Sequence, residues 1–481
     1  MNSNTNKKVL FIIPNIVGDK GAATAPLPGV AYIAGSARTA GYAVGVIDMR
    51  VEPNDIFERI SSFAPDLIGI SFMSMEFSHV FDFVNSLKIK FPSIPLIMGG
   101  AGGSTLGIQV LKATTAEYVL TREGERAIVE LLSGKDISQI SSLIWKNERG
   151  EIVENPQRPF ELNLDELAFP AYDLFPMEQY VDSKIPIVTS RGCPYLCTFC
   201  ANKAAQGAPW RPRTPENILK EISFWHEKGF RQFHFVDDNF TLNMQRAEKI
   251  CDMIITSGMK IRWDLRNGIR ADKISEQLLA KMKQAGCFYF ALGIESIDQE
   301  VLDKMKKNLK AEEVFEAVRI ARKAGIPFGG FFIIGLLGDT YAKFLKCYDF
   351  AKHAGFSEVR FYNPIPFPST ELYAELVERN LLLSSPEEYL NMNSKTFGED
   401  PIFATPEFSA EERKKAIRLG QKLVMQKLLT KEFGNIAGTA AALLWQMKPL
   451  QAALKGPGLQ AWRVLRKYKK RKAMQAVVRN R

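Results

Sequence analysis

The 481-residue sequence predicts an α/β protein in three parts: a helix-flanked parallel sheet, a partial (β/α)6 barrel and a helical C-terminal region. Short apolar runs alternate with helix-length amphipathic segments, the pattern of parallel strands joined by crossover helices. The alternation breaks in a stretch rich in prolines and aromatics, RPFELNLDELAFPAYDLFP, and then restarts, so two sheets are expected in succession. A chain of this length should hold two to three domains. No window offers the roughly 20 uninterrupted apolar residues of a membrane span, so the apolar runs belong to folded cores.

The first part, residues 1–135, opens with the buried-strand pattern KKVLFIIPN. VAYIAGSARTAGY reads as a helix ending at Gly41 and AVGVIDM as a second strand, while DLIGISFMSM and IPLIMGG are further apolar runs. Ligands of such sheets sit at the carboxyl ends of the strands. Those ends are Pro14 to Gly18, Ser71 to Ser74, and the glycine-rich loop Gly99-Gly100-Ala101-Gly102-Gly103-Ser104-Thr105, where backbone can approach a ligand closely. Composition alone fits either a Rossmann-like binding domain or a purely structural one. His79 falls in a helical pattern and reads as structural.

In the connector, residues 136–184, SSLIWKNERGEIVENP alternates around Asn147 to Gly150 as a hairpin does. The proline-rich stretch after it suits an extended strap over a surface. Neither carries chemistry, and their expected task is to fix the spacing of the flanking parts.

The third segment, residues 185–375, starts with the short strand IPIVTS, which feeds the loop SRGCPYLCTFC. Helix and strand patterns then repeat through FRQFHFVDD, IRWDLRNG, FYFALGIES, FGGFFIIG and EVRFYNPIP, giving six strands. In such a barrel the chemistry lies at the C-terminal strand ends. Cys193, Cys197 and Cys200 form CxxxCxxC, with Phe199 directly before the last cysteine. Three thiolates can hold three irons of a 4Fe–4S cluster. The fourth iron then stays open, as a catalytic metal site keeps one position for substrate. Zinc is the alternative, but it calls for a fourth Cys or His at short spacing. The nearest histidines, His226 and His234, lie well downstream with no paired ligand. Six cysteines, three of them clustered, point to a metal in a reducing compartment, hence the cytoplasm. Cys251, Cys287 and Cys347 fall in helix, strand-start and helix patterns and read as core or surface thiols.

The cysteine loop resembles that of the radical S-adenosylmethionine (SAM) superfamily. PLPGVAYIAG, the glycine pair after the fourth strand and LTREGERAIVELL, placed ahead of it, resemble the cobalamin-binding members. The resemblance covers residues 8 to about 375. It implies a cobalamin-binding Rossmann-like domain, a TIM-like radical SAM barrel, and three cofactors: a [4Fe–4S] cluster on Cys193, Cys197 and Cys200, SAM, and cobalamin. It assigns Asp237 and Asp238 to the amino group of SAM and Glu295 to its ribose hydroxyls. Arg270 is set against the SAM carboxylate, and Gly335 leaves room for adenine, with Phe199 packed against it. Each of these strand-end residues also suits a barrel-rim salt bridge or helix cap. On the cobalamin side stand Ser71, Ser74, Gly99, Gly100 and Glu123, the last within Glu123-Gly124-Glu125 where the family has Gly-Glu-Gly-Glu. Two motifs depart from the pattern. GDKG at 18–21 lacks the histidine of DxHxxG, so histidine ligation of cobalt is not expected. GLLGDT at 335–340 replaces Gly-Leu-Pro-Gly-Glu-Thr, losing a proline and shortening an acid.

The C-terminal region, residues 376–481, holds a helix starting after Ser409. Residues 434–481 carry eleven Lys/Arg and no Asp or Glu, so the formal charge of +10 belongs to this tail and the rest is near neutral. AWRVLRKYKKRKAMQAVV reads either as a basic amphipathic helix for a membrane surface or acidic partner, or as a solvated tail. Nucleic acid is not expected, since the tail alone supports it. The N-terminus shows no apolar h-region of a secretory signal. The expected location is cytoplasmic, peripheral to the inner membrane face if the tail binds lipid.

As function, the resemblance implies methylation of an unactivated carbon through a 5′-deoxyadenosyl radical and methylcobalamin. The substrate would be a small molecule or lipid-like compound, and a ferredoxin- or flavodoxin-type reductant would supply single electrons. Ring closure, contraction or oxidation with the same cofactors is the alternative, and a non-enzymatic iron–sulfur or zinc protein a remote one. An RNA methylthiotransferase would carry a second cysteine trio in its first domain, and no cysteine precedes Cys193. No catalytic residue is assigned.

Overall fold

The computed structural model describes residues 7–15, 23–52, 55–74, 76–390, 400–434 and 436–439. GDKG at 18–21 and the basic segment 461–478 lie outside the described residues.

Strand β1 (Lys8–Ile13) is buried from Val9 onward, as a central parallel strand covered on both faces must be. It is followed by α1 (Pro28–Thr39), β2 (Ala43–Asp48), α2 (Ile56–Phe63), β3 (Leu67–Ser71), α3 (Phe77–Lys90), β4 (Leu96–Gly99), α4 (Ala101–Leu106), α5 (Ile108–Ala113), β5 (Tyr118–Leu120) and α6 (Glu125–Leu132). Pro28 at the first helical position opens α1 without losing a hydrogen bond. These five strands lie parallel in the order β2-β1-β3-β4-β5. The order reverses between β1 and β3, which makes a ligand crevice at their carboxyl ends. His79 falls in α3. The hairpin forms as β6 (Leu143–Lys146) and β7 (Ile152–Glu154), and β6 pairs antiparallel with β5, extending the sheet to seven strands.

The proline-rich strap then crosses from one sheet to the other. Ala171 N donates to Ala31 O of α1 at 2.9 Å, and Gly35 permits this approach, since a Cβ there would collide with the Phe169 carbonyl. Tyr172, fully buried, lies with its ring centroid 5.6 Å from that of Trp225. One continuous hydrophobic core therefore runs from β1 and α1 through the strap into the second sheet.

That sheet is formed by β8 (Ile185–Ile187), with a side ribbon of β9 (Ser190–Arg191) and β10 (Arg211–Pro212), around α7 (Asn202–Gln206). After α8 (Pro215–Glu227) come β11 (Gln232–Phe235), α9 (Met244–Thr256), β12 (Arg262–Arg270), α10 (Glu276–Gln284), β13 (Cys287–Glu295), α11 (Gln299–Lys304), α12 (Ala311–Ala324), β14 (Phe328–Ile333), α13 (Tyr341–His353) and β15 (Glu358–Tyr362). The six strands are parallel, in the order β15-β14-β13-β12-β11-β8, so the partial barrel expected from the sequence is present. Helices α14 (Glu371–Glu378), α15 (Pro386–Tyr389) and α16 (Ala410–Phe433) follow. Ser409 and Glu412 form a capping box at the start of α16, and this helix packs along β15, covering the open edge of the sheet.

Candidate functional site

The cysteine loop leaves β8 at the carboxyl end of the sheet and is held at each step. Gly192 has φ +80°, and a Cβ on it would strike the Pro209 carbonyl, so glycine is required there. Cys193 N donates to Gly207 O, Cys200 N to Cys197 O, and Thr198 N to Met305 O at the end of α11. Leu372 N of α14 donates back to Thr198 O at 2.9 Å. Tyr195 lies under the Arg270 guanidinium, 3.6 Å from its ring centroid. Burial raises the pKa of all three thiols, Cys200 to about 11. For Cys197, Lys307 and Arg270 oppose that rise. The protein alone therefore keeps the thiols protonated, and a bound metal is what would make them thiolates.

Several strand-end residues named from the sequence are engaged by other parts of the protein. Asp237, buried at the end of β11, accepts from Thr189 N at 2.6 Å, the Ser190 hydroxyl at 2.6 Å and the Thr189 hydroxyl. It thus organises the approach to the cysteines and has little free acceptor capacity for an ammonium. Asp238 is exposed. Arg270 donates to Asp272 Oδ1, Lys307 O and Asn308 O at 2.7–2.8 Å. Its guanidinium thus braces the loop after α11. Gly335 (φ +75°) opens onto no space for adenine, because the buried Arg413 guanidinium of α16 fills the position of its missing Cβ. Phe199 packs against the main core.

Glu295, in the left-handed region at φ +65°, accepts from Lys307 Nζ at 3.0 Å. Both side chains are about nine-tenths buried. Sequence reading missed Lys307, because it sits in the loop after α11 and not at a strand end. Its only signal in the sequence is a run of neighbouring lysines, which no motif singles out.

On the first sheet, Gly99 ends β4 and Gly100 turns at φ +86°, with a built Cβ 2.9 Å from Ser71 Oγ. Ser74 and Thr105 hydroxyls lie 2.5 Å apart and close the same crevice. Gly102 and Gly103 serve packing, against the Phe72 ring and Leu120 O. Glu123 does not face this crevice alone: it accepts from Arg191 at 2.9 Å, Arg211 at 2.7 Å and Glu161 N at 2.8 Å. These partners hold its pKa down despite burial, so its charge is matched within the protein.

Residues 14–132 match the B12 binding domain and residues 187–351 the Radical SAM superfamily. An uncharacterized methyltransferase of Pyrococcus horikoshii is 30% identical over 431 residues, covering 85% of this chain and 91% of that protein. The chain belongs to the B12-binding radical SAM family. Cytidylyl-2-hydroxyethylphosphonate methyltransferase of Streptomyces wedmorensis is 26% identical, covering 80% of this chain and 84% of that one. Anaerobic magnesium-protoporphyrin IX monomethyl ester cyclase of Rubrivivax gelatinosus is 25% identical, covering 77% and 70%. Among solved structures, the cobalamin-dependent SAM radical enzyme OxsB superposes with TM-score 0.70 at 18% identity, covering 96% of this chain and 72% of that one. The radical SAM methyltransferase TsrM of Kitasatospora setae gives 0.66 at 20% identity, covering 78% and 76%. Both share the fold.

As a cobalamin-dependent radical SAM enzyme, the protein has a [4Fe–4S] cluster, SAM and cobalamin as cofactors and needs a reductant. The residues present fit these groups. At the end of β11, where Asp238 lies close enough to the cysteine loop for its charge to act on Cys193, both amide atoms of buried Asn239 have no hydrogen-bond partner among the described residues, which suits a polar ligand there. The glycine turn and hydroxyls at the ends of β3 and β4 suit an extended planar ligand. No helix of the described residues is long and apolar enough to cross a membrane.

Proposed function

We propose that this enzyme methylates an unactivated carbon of a small-molecule or lipid-like substrate. Cys193, Cys197 and Cys200 hold the cluster in this reading. Glu295 takes the ribose hydroxyls of SAM, and Lys307, in place of Arg270, takes its carboxylate. Asp238, exposed beside the cysteine loop, meets the amino group. Ser71, Ser74, Gly99 and Gly100 receive the corrin. When bound, the cofactors supply a hydrogen-abstracting radical and a transferable methyl group. The observation that carries the reading is the packing of α4, which follows the Gly99-Gly100 turn, on α7, which follows Cys200. It sets the loop assigned to the cluster next to the turn assigned to the corrin, and a site closed between them would exclude water from a radical.

The test uses SAM labelled in its methyl group, supplied to the reconstituted enzyme with reductant and an extract of its host. S-adenosylhomocysteine forming alongside 5′-deoxyadenosine, with label in an extracted product, supports methylation. Deoxyadenosine with no S-adenosylhomocysteine and no labelled product favours ring closure or oxidation, the second reading, which the cyclase relatives motivate.

A further inference from the structure

The residue directly before Gly192-Cys193 is Arg191, and it is buried. Its Nη1 donates to Glu123 Oε1 at 2.9 Å and its Nη2 to Glu125 Oε1 at 2.6 Å. Both carboxylates belong to the first domain: Glu125 begins α6 and Glu123 lies two residues before it. Pairing of β9 with β10 sets Arg211 beside Arg191, and Arg211 also donates to Glu123, at 2.7 Å. The flat face of Arg191 lies over the ring of Tyr32 in α1, 4.9 Å from its centroid. Arg213 donates to the Tyr32 hydroxyl at 3.1 Å and pairs with Glu221. Two arginines from the cysteine-loop ribbon thus meet two glutamates of the corrin domain, with matched charge and almost no water. Fork-shaped guanidinium with two separate carboxylates fixes orientation as well as distance, which a lysine cannot do.

We propose that Arg191, with Glu123 and Glu125, is a latch that sets the position of the corrin domain relative to the iron–sulfur loop. These are positioning residues: they touch neither cofactor in this assignment. The latch joins the cluster loop through the backbone of two residues, Arg191 and Gly192. It joins the corrin crevice through α6 and the turn that follows β5. A tilt of one domain against the other would lengthen these short, directional ion pairs. The inference rests on the assignment of the cluster to Cys193, Cys197 and Cys200, but not on which reaction is catalysed.

The test is the magnetic dipolar interaction between cob(II)alamin and the reduced cluster in the full-length holoenzyme, read by electron paramagnetic resonance without substrate. The unaltered protein should give one narrow splitting. Arg191→Lys, which can satisfy only one carboxylate, and Glu125→Gln, which keeps the shape but not the charge, should each retain cluster absorbance and bound cobalamin. Both should retain SAM cleavage to 5′-deoxyadenosine as well, yet lose the single splitting in favour of a broad distribution. Glu125→Asp should broaden it less. If both variants keep the narrow splitting at full cofactor occupancy, the latch is refuted. If Arg191→Lys loses its cluster, Glu125→Gln, which lies in the other domain, decides alone. A failed cluster assignment shows separately, as cluster absorbance surviving in the Cys193/Cys197/Cys200 triple Ala variant.

Discussion

Replacing Lys307 by Gln tests how the barrel mouth receives SAM. Lys307 and Glu295 are paired at 3.0 Å with little solvent contact. The amide of Gln can still donate to Glu295, so the loop after α11 should keep its shape, held also by Arg270 on Lys307 O and Asn308 O. What disappears is the positive charge that would face a carboxylate. A hydrogen bond to a charged group contributes about 1.5–3 kcal/mol. At 1.4 kcal/mol per tenfold, the SAM Kd should rise by about 10- to 100-fold. Calorimetric titration of SAM into the anaerobically reconstituted enzyme measures it directly. A Kd within roughly threefold of the unaltered protein, about 0.6 kcal/mol, would refute the assignment of Lys307. Arg270→Lys is the contrasting variant. It should lower the thermal midpoint, because a lysine cannot reach Asp272, Lys307 O and Asn308 O together.

Three further outcomes follow from the geometry. Asp264, fully buried, accepts from Lys184 at 2.7 Å and Arg266 at 2.9 Å and lies 2.6 Å from His234 Nδ1; burial opposes its ionisation, but His234 and Lys184 outweigh that and lower its pKa. Asp264→Asn should cost about 2–4 kcal/mol at pH 7, below the usual toll of a broken buried pair because Arg266 is partly exposed and Lys184 keeps Asp182 nearby. Since the folded pKa is depressed, that stability is present above the unfolded value and fades as pH falls. The gap between variant and parent, measured by urea unfolding, should therefore close below about pH 4; a gap that widens in acid would contradict the pairing. Gly192→Ala should cost about 2–4 kcal/mol and depress cluster incorporation, because φ +80° and the Pro209 carbonyl both exclude a Cβ. Arg413 is buried against Phe403 and Phe408 with Nη2 unpartnered and its pKa lowered to about 10 by burial. Arg413→Met should cost about 1–3 kcal/mol by calorimetry, since it removes the Nε hydrogen bond to Phe408 O and the positive charge that favours ionisation of buried Asp339.

By itself the sequence determined the local elements and the cysteine loop. Alternating apolar runs and helices are properties of consecutive residues, so β1 to β4, the hairpin, the six barrel strands and the Ser409 cap could be read directly, whereas three-residue β5 was too short to show a pattern. CxxxCxxC is equally local, and it marks the cluster loop before any fold is known. Tertiary structure decided which polar side chains near that loop remain free. Arg270, Asp237 and Glu123 stand in the segments that the motifs indicate, yet each is engaged by protein. Arg191 and Glu123 are 68 residues apart in the chain, and Arg413 fills the space beside Gly335, a contact that no spacing rule predicts. A backbone pattern repeats within a few residues, and so it is legible. A side chain's partner depends on how distant segments dock, and only that docking showed Lys307 beside Glu295 and the arginine pair against Glu123 and Glu125.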